Sequence, residues 1–175
     1  TGLYYTRFSS GTERIIRTCS NRMQFLSGTT WSNVPVSGAT ITGGQNNQFV
    51  FVTAIDNIIG TNDVNPPVQY NGTGLSAVSF SGLTNPITQA KTIAFFKNYL
   101  LFFNITEGGT DRPTRFRWAN VGTINTWTQA DFLDIAALGG QEINAVAELY
   151  DNLYVFLTDS IYKISLVGGV NTFNV

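Results

Sequence analysis

The sequence contains no histidine and a single cysteine, Cys19, among its 175 residues. The absence of histidine removes the commonest general base, the usual serine-centred triad and most transition-metal sites. A lone cysteine excludes an internal disulfide framework, and without histidine a cysteine–histidine nucleophile is excluded as well. We expect Cys19 to be an ordinary buried side chain.

Charged residues are also scarce, at 12% of the chain, and the net charge is −1. This is about half the usual share for a soluble domain. Near neutrality argues against strong overall attraction to nucleic acid or to a membrane surface. No apolar run reaches the roughly 18 residues that a membrane-spanning helix needs. We therefore expect a surface that is hidden against partners or covered by Thr, Asn, Ser and Gln.

What the chain does contain favours one all-β domain. It is 43% hydrophobic and 13% aromatic, enough for a sizeable core. Short runs rich in Val, Ile, Phe, Tyr and Thr are separated by frequent turn residues, a pattern typical of strands. The best helix candidate, residues 130–149, is interrupted by Gly139-Gly140, so we predict no helix there.

A strand–turn–strand pattern recurs four times at a nearly constant period. Its aromatic anchors, Phe25, Tyr70, Phe116 and Tyr162, are spaced by 45, 46 and 46 residues. A period near 45 with about four strands per unit is typical of a β-propeller blade. We predict a propeller or propeller-like array of about four antiparallel blades, with units at residues 1–43, 44–89, 90–140 and 141–175. A two-sheet sandwich is the alternative for an all-β chain of this size. Four units are few for closure, so we expect a fragment of a longer chain and of a larger propeller.

Residues 115–135 and 143–164 carry a more specific phrase. The first reads RFRWANVGTINTWTQADFLDI and the second INAVAELYDNLYVFLTDSIYKI. Together they resemble propeller-bearing structural proteins of tailed bacteriophages, in the tail nozzle or tail hub class. The matching residues are Arg117, Trp118, Asn120, Gly122, Trp127, Phe132, Asp134, Leu149, Asp151, Leu153, Val155, Phe156, Ser160, Ile161, Tyr162 and Ile164. Outside these stretches the likeness rests on the repeat alone, and the second unit has no tryptophan.

The resemblance implies a non-enzymatic virion protein that forms part of the DNA exit path. Its expected partners are other copies of itself in a ring, neighbouring tail or connector proteins, and passively the exiting DNA. It would be produced in the host cytoplasm and reside in the phage tail, with no cofactor, no metal and no membrane span. The alternative is a carbohydrate- or receptor-binding propeller module.

The residues favour none of three chemical sites that occur in β-rich proteins. Scattered acids such as Asp131 and Asp134 lack the evident pairing that a glycosidase needs. GTTW at residues 28–31 matches the tail of a sialidase box, but Gln24 and Leu26 occupy the Ser and Asp positions. Residues 56–65 are rich in oxygen ligands but lack the spacing of a known Ca²⁺ loop. We predict no catalytic residue.

Basic and aromatic residues supply the candidate contact sites. The arginines that we predict at an interface or along a DNA path are Arg14, Arg17, Arg112, Arg115 and Arg117. Alternation places Arg115 and Arg117 on one face of a strand and Phe116 on the other. Since residues 126–175 contain six acids and one lysine, we favour pairing with a neighbouring blade or subunit over contact with DNA. Trp31 and Trp127 are candidates for stacking on a ligand, although a role in the blade core is the simpler interpretation.

Overall fold

The structure is a computed structural model that describes residues 2–135, 139–169 and 172–175. These residues form sixteen β-strands and no helix, which confirms the all-β prediction. Part of the rejected helix candidate, residues 136–138, lies outside the described residues. Cys19 is half-buried and not fully buried as expected, because it lies on the outer side of its sheet.

The strands form four sheets of four antiparallel strands, each in simple up-and-down order. Sheet 1 contains β1 (Gly2–Arg7), β2 (Glu13–Cys19), β3 (Arg22–Ser27) and β4 (Thr30–Asn33). Sheet 2 contains β5 (Val50–Ala54), β6 (Asn57–Thr61), β7 (Val68–Tyr70) and β8 (Leu75–Ala77). Sheet 3 contains β9 (Ile87–Phe96), β10 (Tyr99–Glu107), β11 (Thr110–Ala119) and β12 (Trp127–Asp134). Sheet 4 contains β13 (Ile143–Leu149), β14 (Asn152–Leu157), β15 (Ile161–Leu166) and β16 (Phe173–Asn174).

The repeat seen in the sequence corresponds to these sheets. Each of the four aromatic anchors lies on the third strand of its sheet. Each also pairs with an apolar residue of the second strand, for example Phe25 with Ile16 and Phe116 with Phe103. The constant spacing therefore reflects one structural position repeated four times. β9 begins at Ile87, ahead of the unit boundary that we placed at residue 90.

Three hairpins close with two residues in left-handed conformation, which matches the twist of antiparallel strands. The residues are Lys97 and Asn98 between β9 and β10, and Gly108 and Gly109 between β10 and β11. The β5–β6 turn uses Ile55 and Asp56, at φ 47° and 55°. A β-branched residue rarely adopts positive φ. The Asn57 side chain donates a hydrogen bond to the Ile55 carbonyl at 2.7 Å, and this contact supports the turn.

The sheets stack in sequence order through their first strands. β1 contacts β5, β5 contacts β9, and β9 contacts β13. Each junction buries its own apolar layer, built by residues from the two sheets that meet there. The row of sheets is not closed within the described residues. Among the residues that the structure describes, no further sheet packs against the outer faces of sheets 1 and 4.

Sheet 3 is buried on both faces. Along β10, Leu100 and Phe102 pack toward sheet 2, whereas Leu101 and Phe103 pack toward sheet 4. A bulge follows at Asn104, whose φ is 50°, where this one residue of β10 lies opposite residues 113–115 of β11. Because the bulge resets the alternation, Ile105 faces sheet 2 again.

Replacing Phe103 with alanine is expected to destabilise the protein strongly. Its ring is fully buried and stacks on Phe116 at 5.5 Å between centroids. Such a truncation typically costs about 3–5 kcal/mol, because it leaves a cavity that neighbours fill only in part. Urea denaturation followed by intrinsic fluorescence measures the effect. Val121→Ala, at an exposed loop position, is the control, and equal losses in the two variants would contradict the double-faced core.

Candidate functional site

A buried ionic network occupies the side of sheet 3 that faces sheet 2. Arg115 donates two hydrogen bonds to the Asp134 carboxylate, at 2.7 and 2.6 Å, and a third to Glu107. Arg117 donates from Nε to the other oxygen of Glu107 at 3.0 Å. Two positive and two negative charges thus balance within one sheet.

Arg117 has further partners within sheet 3. Arg117, with 1% of its surface exposed, also donates from Nη1 to the Gln129 carbonyl at 3.0 Å. The Phe132 ring lies under both guanidinium groups, with its centroid 3.9 Å from Arg115 Cζ and 4.9 Å from Arg117 Cζ. Arginine suits this place because a planar guanidinium can stack on a ring and bind a carboxylate through two hydrogen bonds at once.

The network shifts the protonation equilibria of its members. The hydrogen bonds from Arg115 lower the pKa of Asp134, and those same bonds raise the pKa of Arg115. Nearby, burial raises the pKa of Asp131. The folded state therefore favours the ionised form of Asp134. Ionisation of Asp131, in contrast, costs free energy in the folded state.

The structure places Arg115 and Arg117 differently from the arrangement that we favoured. Phe116 does lie on the opposite face, in the layer toward sheet 4. However, both arginines pair with acids of their own sheet and not with a neighbouring blade or subunit. Glu107 was missed, because the bulge at Asn104 changes the register between Glu107 and β11. Sequence spacing gives no signal for that change.

The other three candidate arginines lie nearer the surface. Arg112 is exposed on β11. Arg14 is partly buried, lies 5.4 Å from the Phe25 ring and lines a cleft of about 380 Å³ between the loops of sheets 1 and 2. Arg17 stacks on Trp31 at 4.2 Å and donates to the Gln24 side chain at 2.9 Å. Their roles at an interface or along DNA stay predictions.

The two candidate stacking tryptophans have different surroundings. Trp127 is only 2% exposed, packs against Phe102 and donates from Nε1 to the Ser79 carbonyl at 3.1 Å. It belongs to the layer between sheets 2 and 3. Trp31 is partly exposed on the outer side of sheet 1, where Arg17 covers one ring face.

The oxygen-rich residues 56–65 form a polar anchor. Asn62 donates to the Thr42 carbonyl at 2.8 Å, and Asn65 donates to the Thr42 hydroxyl at 2.7 Å. The two asparagines are buried and also bond to each other. Their side chains fasten the long β4–β5 connection to sheet 2. Within the described ranges, no three His, Cys, Asp or Glu residues lie together as a metal site.

Charged and polar side chains also join sheets 3 and 4. Lys91 pairs with Glu142 at 2.9 Å, and Lys97 pairs with Asp151 at 2.5 Å. The Asn104 amide donates to the Ile143 carbonyl at 3.0 Å, so the bulge residue contacts the next sheet directly. At this junction, the basic groups lie on one sheet and the acidic groups on the following sheet.

Two clefts lie where successive sheets of the row meet. One, of about 280 Å³, is lined by β5, β9 and β13 together with Leu153, so the first strands of three sheets converge on one space. The other, of about 460 Å³, lies between sheets 3 and 4. It is lined by aromatic rings and carboxylates, including Trp118, Phe132 and Asp131.

Comparison of the chain with protein-family models and with curated proteins found no match. The described residues include no helix that is long and apolar enough to cross a membrane.

Glu107→Gln is expected to destabilise the protein by about 3 kcal/mol, because Arg117 would lose its carboxylate partner in a buried position. Chemical denaturation at neutral pH measures the loss. The control, Asp151→Asn, breaks the exposed pair with Lys97 and should leave the unfolding free energy nearly unchanged. If Glu107→Gln behaved like the control, the network would not stabilise sheet 3.

The two neighbouring aspartates should affect the pH dependence of stability in opposite ways. The pKa of Asp134 is lowered in the folded state, so its contribution is complete at neutral pH and disappears below about pH 4. Asp134→Asn should therefore flatten the acid limb of the stability curve. The pKa of Asp131 is raised, so ionisation of Asp131 costs stability at neutral pH.

Asp131→Asn is the matched variant for this experiment. It should gain stability relative to the wild type at neutral pH, and the difference should vanish as the pH falls below about 4. Thermal unfolding from pH 3 to 8 compares the three proteins. Parallel curves for the wild type and Asp134→Asn would contradict the assignment.

Proposed function

We propose that the chain is a non-enzymatic structural module of a virion, built as a propeller-like array, and that it belongs to the tail nozzle or tail hub of a tailed bacteriophage. The observation that carries this proposal is the row of four equivalent sheets, stacked through their first strands. A repeated sheet suits a scaffold.

The propeller-like part of the proposal is supported by the convergence of first strands. In a propeller the blades stack face to face around a central channel, and the first strand of each blade commonly lies innermost. Here β5, β9 and β13 line one cleft. A sandwich would pack two sheets across a single core, whereas this chain has three successive apolar layers.

Part of the phrase that resembles the phage proteins consists of packing residues. Trp118, Leu153, Val155 and Ile164 belong to the layer between sheets 3 and 4, and Trp127 to the layer between sheets 2 and 3. Arg117, Phe132 and Asp134 build or contact the ionic network. These positions fit a family in which the shared residues maintain a rigid scaffold.

Contact with exiting DNA would be passive and confined to surface arginines. Arg112 is exposed, whereas Arg115 and Arg117 are buried in ion pairs. A protein surface whose arginines are paired with acids attracts DNA phosphates only weakly. DNA could therefore pass along it without being bound. This property suits an exit path.

Glycan binding is the second candidate, favoured by the cleft of about 460 Å³ between sheets 3 and 4. Its volume is within the range of small-molecule sites, and it combines rings with carboxylates as sugar sites do. Trp127 could not take part, because its ring is buried.

The proposal is tested on purified particles of the phage whose genome encodes the chain. Gold-labelled antibodies against the chain are expected at the tail, and peptides of the protein should copurify with particles in stoichiometric amounts. Absence from purified particles, despite abundance in the lysate, would overturn the assignment. Specific glycan-array binding by the protein, lost in Asp131→Asn, would then favour the second candidate.

A further inference from the structure

A polar cleft of about 380 Å³ lies between the turns of sheets 1 and 2, and we call it the Arg14 cleft. Besides Arg14, the β1–β2, β5–β6 and β7–β8 turns line it. The turns of the two sheets are fastened to each other, because Ser9 donates to the Asp56 carboxylate from its backbone N–H, at 2.7 Å, and from its hydroxyl. The volume is within the range of small-molecule sites, about 300–1,000 Å³.

Two charged residues of this cleft occupy a position of the repeat that is apolar in the other sheets. The position lies two residues before the residue that pairs with the aromatic anchor. In sheets 3 and 4 it is Leu101 and Leu153, both buried in an apolar layer. In sheets 1 and 2 it is Arg14 and Asp56. A core position of a repeat that becomes charged indicates a role other than packing.

The Arg14 guanidinium is incompletely paired. Nη1 donates to the Glu13 carbonyl at 3.1 Å, whereas Nε is buried and has no hydrogen-bond partner among the described residues. None of the ion pairs within the described part of the chain includes Arg14. A guanidinium has five N–H donors in a fork that matches a carboxylate. A carboxylate in the cleft would therefore give Arg14 the kind of partner that Asp134 gives Arg115.

The other polar groups of the cleft suit hydroxyl groups. The hydrogen bonds from Ser9 lower the pKa of Asp56, so its carboxylate is ionised at neutral pH and can accept further hydrogen bonds. The Asn71 side-chain oxygen accepts from the Thr73 N–H at 3.1 Å and from the Thr73 hydroxyl at 2.8 Å. These bonds orient the amide and leave its NH₂ group to donate. The cleft thus offers both an acceptor and a donor beside its cation.

An aromatic ring forms part of the cleft wall. Phe8 is largely buried and packs edge-on against Tyr70, with 6.4 Å between centroids. Gly72 lies beside this ring at φ 94°, and a Cβ added there would lie 3.9 Å from the ring. The absence of a side chain at Gly72 therefore keeps the space next to Phe8 free. An aromatic wall with a few polar groups is the usual composition of a small-molecule site.

We propose that the Arg14 cleft binds an acidic sugar unit, whose carboxylate pairs with Arg14 and whose hydroxyl groups contact Asp56 and Asn71. A single carboxylate fits, because the cleft contains one unpaired cation and a ligand with two negative charges would be repelled by Asp56. Several hydroxyl groups fit the acceptor and the donor beside that cation. The site lies at a different junction from the cleft of about 460 Å³ between sheets 3 and 4, and the inference does not depend on the assignment to a virion.

Titration of the purified chain with glucuronate, followed by the backbone amide signals in NMR spectra, tests the proposal. The largest shifts are expected at Ser9, Thr12 and Thr73, which line the cleft. Glucuronate should bind at least about tenfold more tightly than glucose, which lacks the carboxylate, and than acetate, which lacks the hydroxyl groups. If acetate or inorganic phosphate bound as tightly as glucuronate, the cleft would be a general anion site and the proposal would be wrong. Absence of glucuronate binding, or shifts confined to other parts of the chain, would also overturn it.

Substitutions of Arg14 test the assigned contact directly. Arg14→Gln should weaken glucuronate binding at least about tenfold, to the level of glucose, because it removes the charge that pairs with the carboxylate. Arg14→Lys keeps the charge but loses the fork of donors, so its affinity should lie between those of Arg14→Gln and the wild type. Arg112→Gln, which removes an exposed arginine of β11, is the matched control and should bind like the wild type. Equal affinities for the wild type and a folded Arg14 variant would contradict the proposal.

The outcomes separate this proposal from the proposed function. A chain that is found at the phage tail but does not bind glucuronate would overturn the sugar site and leave the structural role standing. A chain that binds glucuronate through Arg14 but is absent from phage particles would do the reverse.

Discussion

The alternation of apolar side chains along β10 is the constraint on which the rest of the structure depends. Leu100 and Phe102 belong to one apolar layer, and Leu101 and Phe103 belong to the next. Because four successive residues of β10, 100–103, are apolar, neither face of the strand can be left in water there, and sheet 3 requires a neighbour on both sides. Sheets 2 and 4 are those neighbours. A row of stacked sheets, and not a two-layer sandwich, follows from this requirement.

The bulge at Asn104 explains how one strand can serve two layers and an ionic network together. It returns Ile105 to the layer that faces sheet 2 and places the Asn104 amide on the Ile143 carbonyl of sheet 4. The network of Glu107 with Arg115 and Arg117 occupies the end of the same sheet. Breaking a buried pair of this kind is costly, because the remaining charge has no water to replace its partner. We expect the ionic groups to favour the register of sheet 3 in which all of them are paired.

The sequence predicted the repeated elements well and the irregular ones poorly. The 45–46-residue spacing of Phe25, Tyr70, Phe116 and Tyr162 identified four equivalent sheets, because a core position repeats wherever the sheet repeats. The partners of Arg115 and Arg117 were not identified, because they depend on a bulge that leaves no periodic trace. The left-handed turn at Ile55 also contradicts local preference. In both places, contacts made by the folded chain override what neighbouring residues favour.

Charge is distributed unevenly along the row of sheets. The chain is poor in charge, and its central arginines are neutralised inside sheet 3. The remaining basic charge is concentrated in sheet 1, while acids predominate in sheet 4. The acids of sheet 4 serve the junction inside the chain, because Asp151 pairs with Lys97 of sheet 3 and Glu148 lies opposite Leu153, which faces sheet 3. Charge therefore helps to hold successive sheets of the row together at the rim of an apolar layer.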